Sequence, residues 1–128
     1  PGKMLPANSV CVSCIASVGL VCLTAEPSQT NQQINSIICK DQISPFYVYT
    51  KMTTLNKYLK QLGAGGSTTL NINKTLFGQI PILLPDEASM KEYHNKVEPL
   101  FSSIRENQYE IQHLESLKRL LLSQISSR

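Results

Sequence analysis

Nowhere does the sequence hold a run of roughly 18 apolar residues, which excludes a helix that crosses a membrane. Its opening residues, PGKMLP, carry neither an initiator methionine nor a secretory signal pattern. The expectation is a piece of a longer polypeptide that works in the cytoplasm, with no membrane partner. Nucleotide-binding motifs are missing too. GAGGST fits neither the P-loop, which needs a lysine after its last glycine, nor G-x-G-x-x-G. No Asn/Asp-Pro-Pro-aromatic methyltransferase motif is present. Only two histidines occur, His94 and His113, neither near a cysteine in sequence, and both read as solvated helix residues. These absences argue against an enzyme: no catalytic residue and no cofactor is expected.

An excess of one charge is also lacking. Net charge is +3 over 128 residues. Its distribution is uneven. Residues 1–85 hold six basic and two acidic side chains, and residues 86–128 hold six basic and seven acidic. A mildly basic first part suits contact with phosphates, and it equally suits an ordinary soluble surface.

The four cysteines do not form a metal-binding pattern. Cys11 and Cys14 have the C-x2-C spacing, but Cys22 and Cys39 are separated by sixteen residues. Cys11 and Cys14 also fall in SVCVSCIASV, which reads as a strand, where residues three apart face opposite sides. Free thiols in a reducing compartment are expected, and no metal.

What is present is an alternation of short strands and helices. SVCVSCIA (9–16) and VGLVCLT (18–24) predict two strands joined around Ser17–Gly19, and INSIIC (34–39) a third. The segment from Ser44 to Gly63 predicts one helix. Ser44 stands at the cap and Pro45 at the first turn; Val48, Met52, Leu55, Leu59 and Leu62 recur at helical spacing, and Gly63 ends it. TLNI predicts a short extended piece, NKTLFGQ a single turn, and IPILLP (80–85) a buried strand with Pro81 at an edge.

From Asp86 the chain is helical in pattern, with Pro99 expected to kink or restart the helix. Beyond it, Leu100, Ile104, Asn107, Ile111, Leu114, Lys118, Leu121 and Ile125 alternate by three and four, the spacing of a heptad seam. An apolar stripe of this length requires cover, so a partner helix is expected, from a second copy or from another part of a longer parent. Folding back onto its own domain is the alternative. The fold class is α+β: a small mixed domain over 1–85, then a long coiled-coil helix over 86–128.

The order of these pieces resembles the specificity subunit of Type I restriction–modification enzymes. The resemblance rests on VCVSCIASVGLV, TNQQINSII, FYVYTKMTTLNKYL, GAGGSTTLNINKTLFGQIPILLP and KVEPLFSSIRENQYEIQHLESLKRLLLSQI, which together cover nearly the whole chain. It implies the second half of a target recognition domain followed by a helical conserved region. In that family, recognition domains read halves of a split site on double-stranded DNA. Long helices space those domains and dock the methyltransferase subunits, and catalysis belongs to the methyltransferase and restriction partners.

On that footing Asn31, Gln32 and Gln33 offer groups that pair with base edges. Lys51, Ser67, Thr68, Thr69 and Lys74 offer groups for phosphates. The plainer alternatives are an Asx turn at Asn31–Gln33 and glycines that only end the preceding helix. A different reading of the whole is an assembly module whose helix docks partners without touching DNA.

Overall fold

The computed structural model describes residues 4–65 and 69–126. Seven elements follow one another: strands β1 (Val10–Ser13), β2 (Val21–Leu23) and β3 (Ile34–Ile37), then helices α1 (Pro45–Thr54), α2 (Asn56–Gly63), α3 (Lys74–Gly78) and α4 (Glu87–Ser126). The three strands form one antiparallel sheet in the order β2-β1-β3. The fold class is therefore α+β, as the sequence pattern indicates. By residue contacts the chain divides into two compact units, Pro1–Asn95 and Lys96–Arg128.

The first unit is organised by β1. Val10 pairs with Leu23 on one side and Ile37 on the other, and Val12 with Val21 and Asn35. Val10 and Val12 are fully buried and face a core of Cys14, Val18, Val48, Met52, Leu59 and Ile72. Cys11 belongs to the opposite face of the same strand, opposite Cys22 and Ser36, with its Sγ 3.5 Å from Ser36 Oγ. The period of two along a strand thus sends Cys11 and Cys14 to different sides. All four thiols are free. Those of Cys22 and Cys39 are pushed up in pKa, chiefly by burial, which keeps them protonated.

Geometry requires a glycine at position 19, and Gly63 sits at a close approach. Gly19, in the turn between β1 and β2, has a φ of +94°. A Cβ there would meet Asn56 Nδ2 at 2.8 Å, and that same amide donates to Gly19 O. Gly63 ends α2 with residues 70–72 against it, and its carbonyl accepts from Asn71 N–H at 3.0 Å. The returning segment then pairs with the end of β1, with Ile72 N–H bonded to Cys14 O and Ala16 N–H to Leu70 O.

Several expectations need correction. The helix over 44–63 is broken at Leu55, which lies at φ −87°, ψ 6°. Thr53 and Thr54 precede the break, and both hydroxyls bond back to carbonyls, of Thr50 and Lys51, at 2.7 Å. Such back-bonding by β-branched residues competes with helix propagation. The apolar stripe survives the break, since Val48, Met52 and Leu59 are buried and Leu55 and Leu62 pack against them. Ser44 is the N-cap residue of α1, but its side chain makes no cap bond.

The segment 80–85 is not a strand. Pro81 and Pro85 supply no N–H to a ladder. Ile80 and Ile82 rest against the core, while Leu83 is 85% exposed. Finally, α4 is continuous through Pro99, so the helix does not restart there. The amide that Pro99 lacks is the one that would bond Asn95, the last residue of the first unit.

The start of α4 is well determined. Asp86 accepts from Ser89 N–H at 2.9 Å and from Ser89 Oγ at 2.8 Å, which holds its carboxyl below the usual carboxylate range. Among the described residues, no helix is long and apolar enough to cross a membrane.

Replacing the fully buried Leu59 by alanine should lower the unfolding free energy by about 2–5 kcal/mol, through lost burial and the cavity left behind. Tyr58→Ala, at an exposed neighbour, should change it by less than about 0.5 kcal/mol. Urea denaturation monitored by circular dichroism distinguishes the two.

Candidate nucleic-acid interface

The polar turn before β3 is built by its own first residue. Asn31 Oδ1 accepts from Gln33 N–H at 3.0 Å and Asn31 O accepts from Ile34 N–H at 3.2 Å. This is the Asx-type turn that an asparagine at this place favours. One acceptor of Asn31 is thereby engaged within the turn. Gln33 turns its carbonyl to Cys14 N–H at 2.8 Å, which ties the turn to the end of β1. Gln32, at the tip, is exposed.

Lys74 is placed by a second cap. Asn73 Oδ1 accepts from Leu76 N–H at 2.9 Å, so Asn73 caps α3 and Lys74 becomes its first residue. Gln32 and Lys74 line the same open groove of about 840 Å³, together with Thr30 and Asn35. Asn35 Nδ2 donates to Ile72 O at 3.2 Å and so joins β3 to the segment that leads into α3. Two polar caps, forty-two residues apart in sequence, thus bring an amide and an ammonium to one groove. Thr30 and Asn35 were not singled out from the sequence, although both flank the NQQ turn.

The remaining expected contacts lie elsewhere. Lys51 stands over the ring of Tyr47, 5.5 Å from its centroid. Tyr47 packs edge-on against Tyr93 and donates its hydroxyl to Leu83 O at 2.8 Å. Lys51 does not line the groove that holds Gln32 and Lys74. Thr69 is exposed. Ser67 and Thr68 lie outside the described residues.

His94 is not the solvated residue its charged neighbourhood suggests. It is half-buried and stacks on Phe46 with ring centroids 5.3 Å apart, and its Nδ1 is 3.0 Å from Ser44 Oγ. The hydroxyl that fails to cap α1 is used here. Among the described residues, no group of three or more His, Cys, Asp or Glu side chains is arranged to hold a metal ion.

The second unit presents a different surface. Leu100, Ile104, Asn107, Ile111, Leu114, Lys118, Leu121 and Ile125 are all exposed. The apolar members are 50–72% accessible, and Leu117, Leu120 and Leu122 are exposed as well. From Leu100 to Ile125 the stripe extends for about 38 Å at 1.5 Å per residue.

The first unit thus carries a groove with a polar rim, and the second an exposed apolar stripe. Residues 2–117 match the family described as Type I restriction modification DNA specificity domain. The chain belongs to that family. It is 43% identical over 125 residues to the HindI specificity subunit of the type I restriction enzyme of Haemophilus influenzae, covering 96% of this chain and 27% of that protein. It is 29% identical over 85 residues to the MjaIX specificity subunit of Methanocaldococcus jannaschii, covering 65% of this chain and 19% of that protein. The chain therefore spans about a quarter or less of the length of these relatives.

The cap that places Lys74 can be tested directly. Asn73→Ala should cost about 0.5–2 kcal/mol of stability, while Asn73→Asp or Asn73→Ser should restore most of it. Thermal melts of the three variants read this out.

Proposed function

We propose that the chain is the non-catalytic DNA-recognition portion of a Type I specificity subunit, which directs methyltransferase and restriction subunits of its own system to a sequence in double-stranded DNA. The match of residues 2–117 to the specificity-domain family carries this reading. Residues 1–85 form part of a target recognition domain. Residues 86–128 form the helical spacer and docking arm. The system operates in the cytoplasm.

The groove rim supports a DNA-facing role in chemical terms. Gln32 has both a donor and an acceptor free to pair with an adenine edge, and Lys74 and Thr30 beside it suit the phosphate backbone. Asn31 acts by holding the turn, and Gln33 adds a second exposed amide. Lys51 and the hydroxyls of Ser67, Thr68 and Thr69 complete the set of backbone contacts. The exposed stripe on α4 is covered by a partner helix, either from a second copy or from another region of the same polypeptide. Asn107 and Lys118 on the seam set its register at some cost in stability.

DNA binding by the full polypeptide that carries these residues should weaken steeply with salt. Its log–log slope should be about −0.9 per phosphate neutralised. Lys74→Ala should reduce the slope by about one such contact at all sequences. Gln32→Ala should cost about 1–3 kcal/mol at the cognate site and little elsewhere. Fluorescence anisotropy at several salt concentrations measures both. A flat salt response would favour a module that only assembles.

Ile111→Asp places an unpaired charge in the middle of the seam, where burial is costly. Sedimentation equilibrium should show self-association of the wild-type chain and its loss in this variant. An unchanged assembled mass in the variant removes the seam as the interface.

A further inference from the structure

The sheet has an open edge. Cys14 N–H bonds Gln33 O, which fixes the hydrogen-bonded pairs between β1 and β3 at Cys14–Gln33, Val12–Asn35 and Val10–Ile37. In an antiparallel ladder the intervening residues turn their N–H and C=O groups the other way. The main chain of Ser36, and of Ile38 just beyond the strand, therefore faces outward, and among the described residues no other strand is paired to that edge.

The groove beside this edge continues past its polar rim as an apolar trough. Ile34, Ile37, Ile38, Phe77, Ile80 and Ile82 line it. A second hollow of about 300 Å³ shares Ile37, Ile38 and Ile82 and extends it toward Leu84. Ile38 is 50% exposed and Leu84 44% exposed. An outward-facing ladder of amides and carbonyls beside an apolar trough matches what an added β-strand requires: main-chain partners on one side and a place for alternate side chains below.

We propose that the outer edge of β3 and this trough receive one extended apolar strand, supplied by the part of the same specificity subunit that lies outside these 128 residues. The inference rests on the specificity-subunit reading above. Two observations select this occupant. In a two-fold pairing the same patch faces itself, and a hollow laid against an identical hollow leaves space unfilled, so a second copy of this face is a poor cover. The HindI subunit, 43% identical here, matches over only 27% of its length, so the fold's relatives carry ample further chain. A strand seated on Ile34–Ile38 would span about 17 Å at 3.4 Å per residue. It would leave Thr30, Gln32 and Lys74 at the rim.

The test compares hydrogen exchange in the 128-residue chain and in the full polypeptide encoded by the gene that carries it. The amides of Ser36 and Ile38 should exchange about 100-fold more slowly in the full polypeptide. Ile38→Asp should lower the melting temperature of the full polypeptide by several degrees and restore fast exchange at Ser36. In the 128-residue chain, where Ile38 is half exposed, the same variant should leave the melting temperature nearly unchanged.

Equal exchange in both proteins, an equal effect of the variant in both, or a reading frame that encodes nothing beyond these residues would overturn the proposal. So would protection in the 128-residue chain alone that rises with its concentration, since that identifies a second copy as the cover. The salt-dependent DNA titration is a separate readout. DNA binding without edge protection sinks the strand alone, and edge protection without DNA binding sinks the DNA reading alone.

Discussion

The first unit depends on β1 being satisfied on both edges at once. Three of its residues pair with β2 on one side and all four with β3 on the other, and Val10, Cys11 and Val12 are all buried. A central strand of this kind has no spare hydrogen-bonding capacity, so everything else must pack on its faces or attach to its ends. Helices α1 and α2 cover the Val10–Val12 face through Val48, Met52 and Leu59. The segment Leu70–Ile72 attaches at the end, through Cys14 and Ala16. That attachment carries α3, and with it Lys74, to the side of the sheet where the Asn31–Gln33 turn already sits.

The rim therefore gets its chemistry from backbone bookkeeping. Asn31 and Asn73 each spend a side-chain oxygen on a nearby amide, and the residues they leave free, Gln32 and Lys74, face the same groove. The two asparagines hold position and their neighbours are left to make contact. In the second unit the local side-chain bonds, such as Ser116 Oγ to Gln112 O and Ser123 Oγ to Leu120 O, leave the apolar stripe uncovered. The apolar residues of the seam from Leu100 to Ile125 are accessible. The family to which the chain belongs spans both features, since its match runs from residue 2 to residue 117.

Much of this was legible in the residues. Strands at 10–13, 21–23 and 34–37 coincide with the β-branched and cysteine-containing runs. The core positions Val48, Met52 and Leu59 were marked by their spacing, and the heptad seam by its alternation of three and four. The errors fall where composition and context disagree. IPILLP is apolar enough for a strand, but its two prolines have no N–H to give to a ladder. Thr53 and Thr54 interrupt a helix whose apolar stripe runs straight through them. His94 sits among charged neighbours in sequence, yet its ring is held by Phe46 and Ser44, some fifty residues away.

By itself the sequence determined the α+β class, the core positions Val48, Met52 and Leu59 and the apolar stripe on α4, because periods of two, 3.6 and 3.5 are local properties of the chain. Tertiary structure alone decided that Gln32 and Lys74 share a groove, that Lys51 stands apart from them over Tyr47, and that β3 is an edge. Those facts depend on which strand lies in the middle of the sheet and on where a returning loop attaches. Both are set by pairing between distant residues, such as Cys14 with Gln33 and with Ile72, and no local pattern of side chains encodes such pairing.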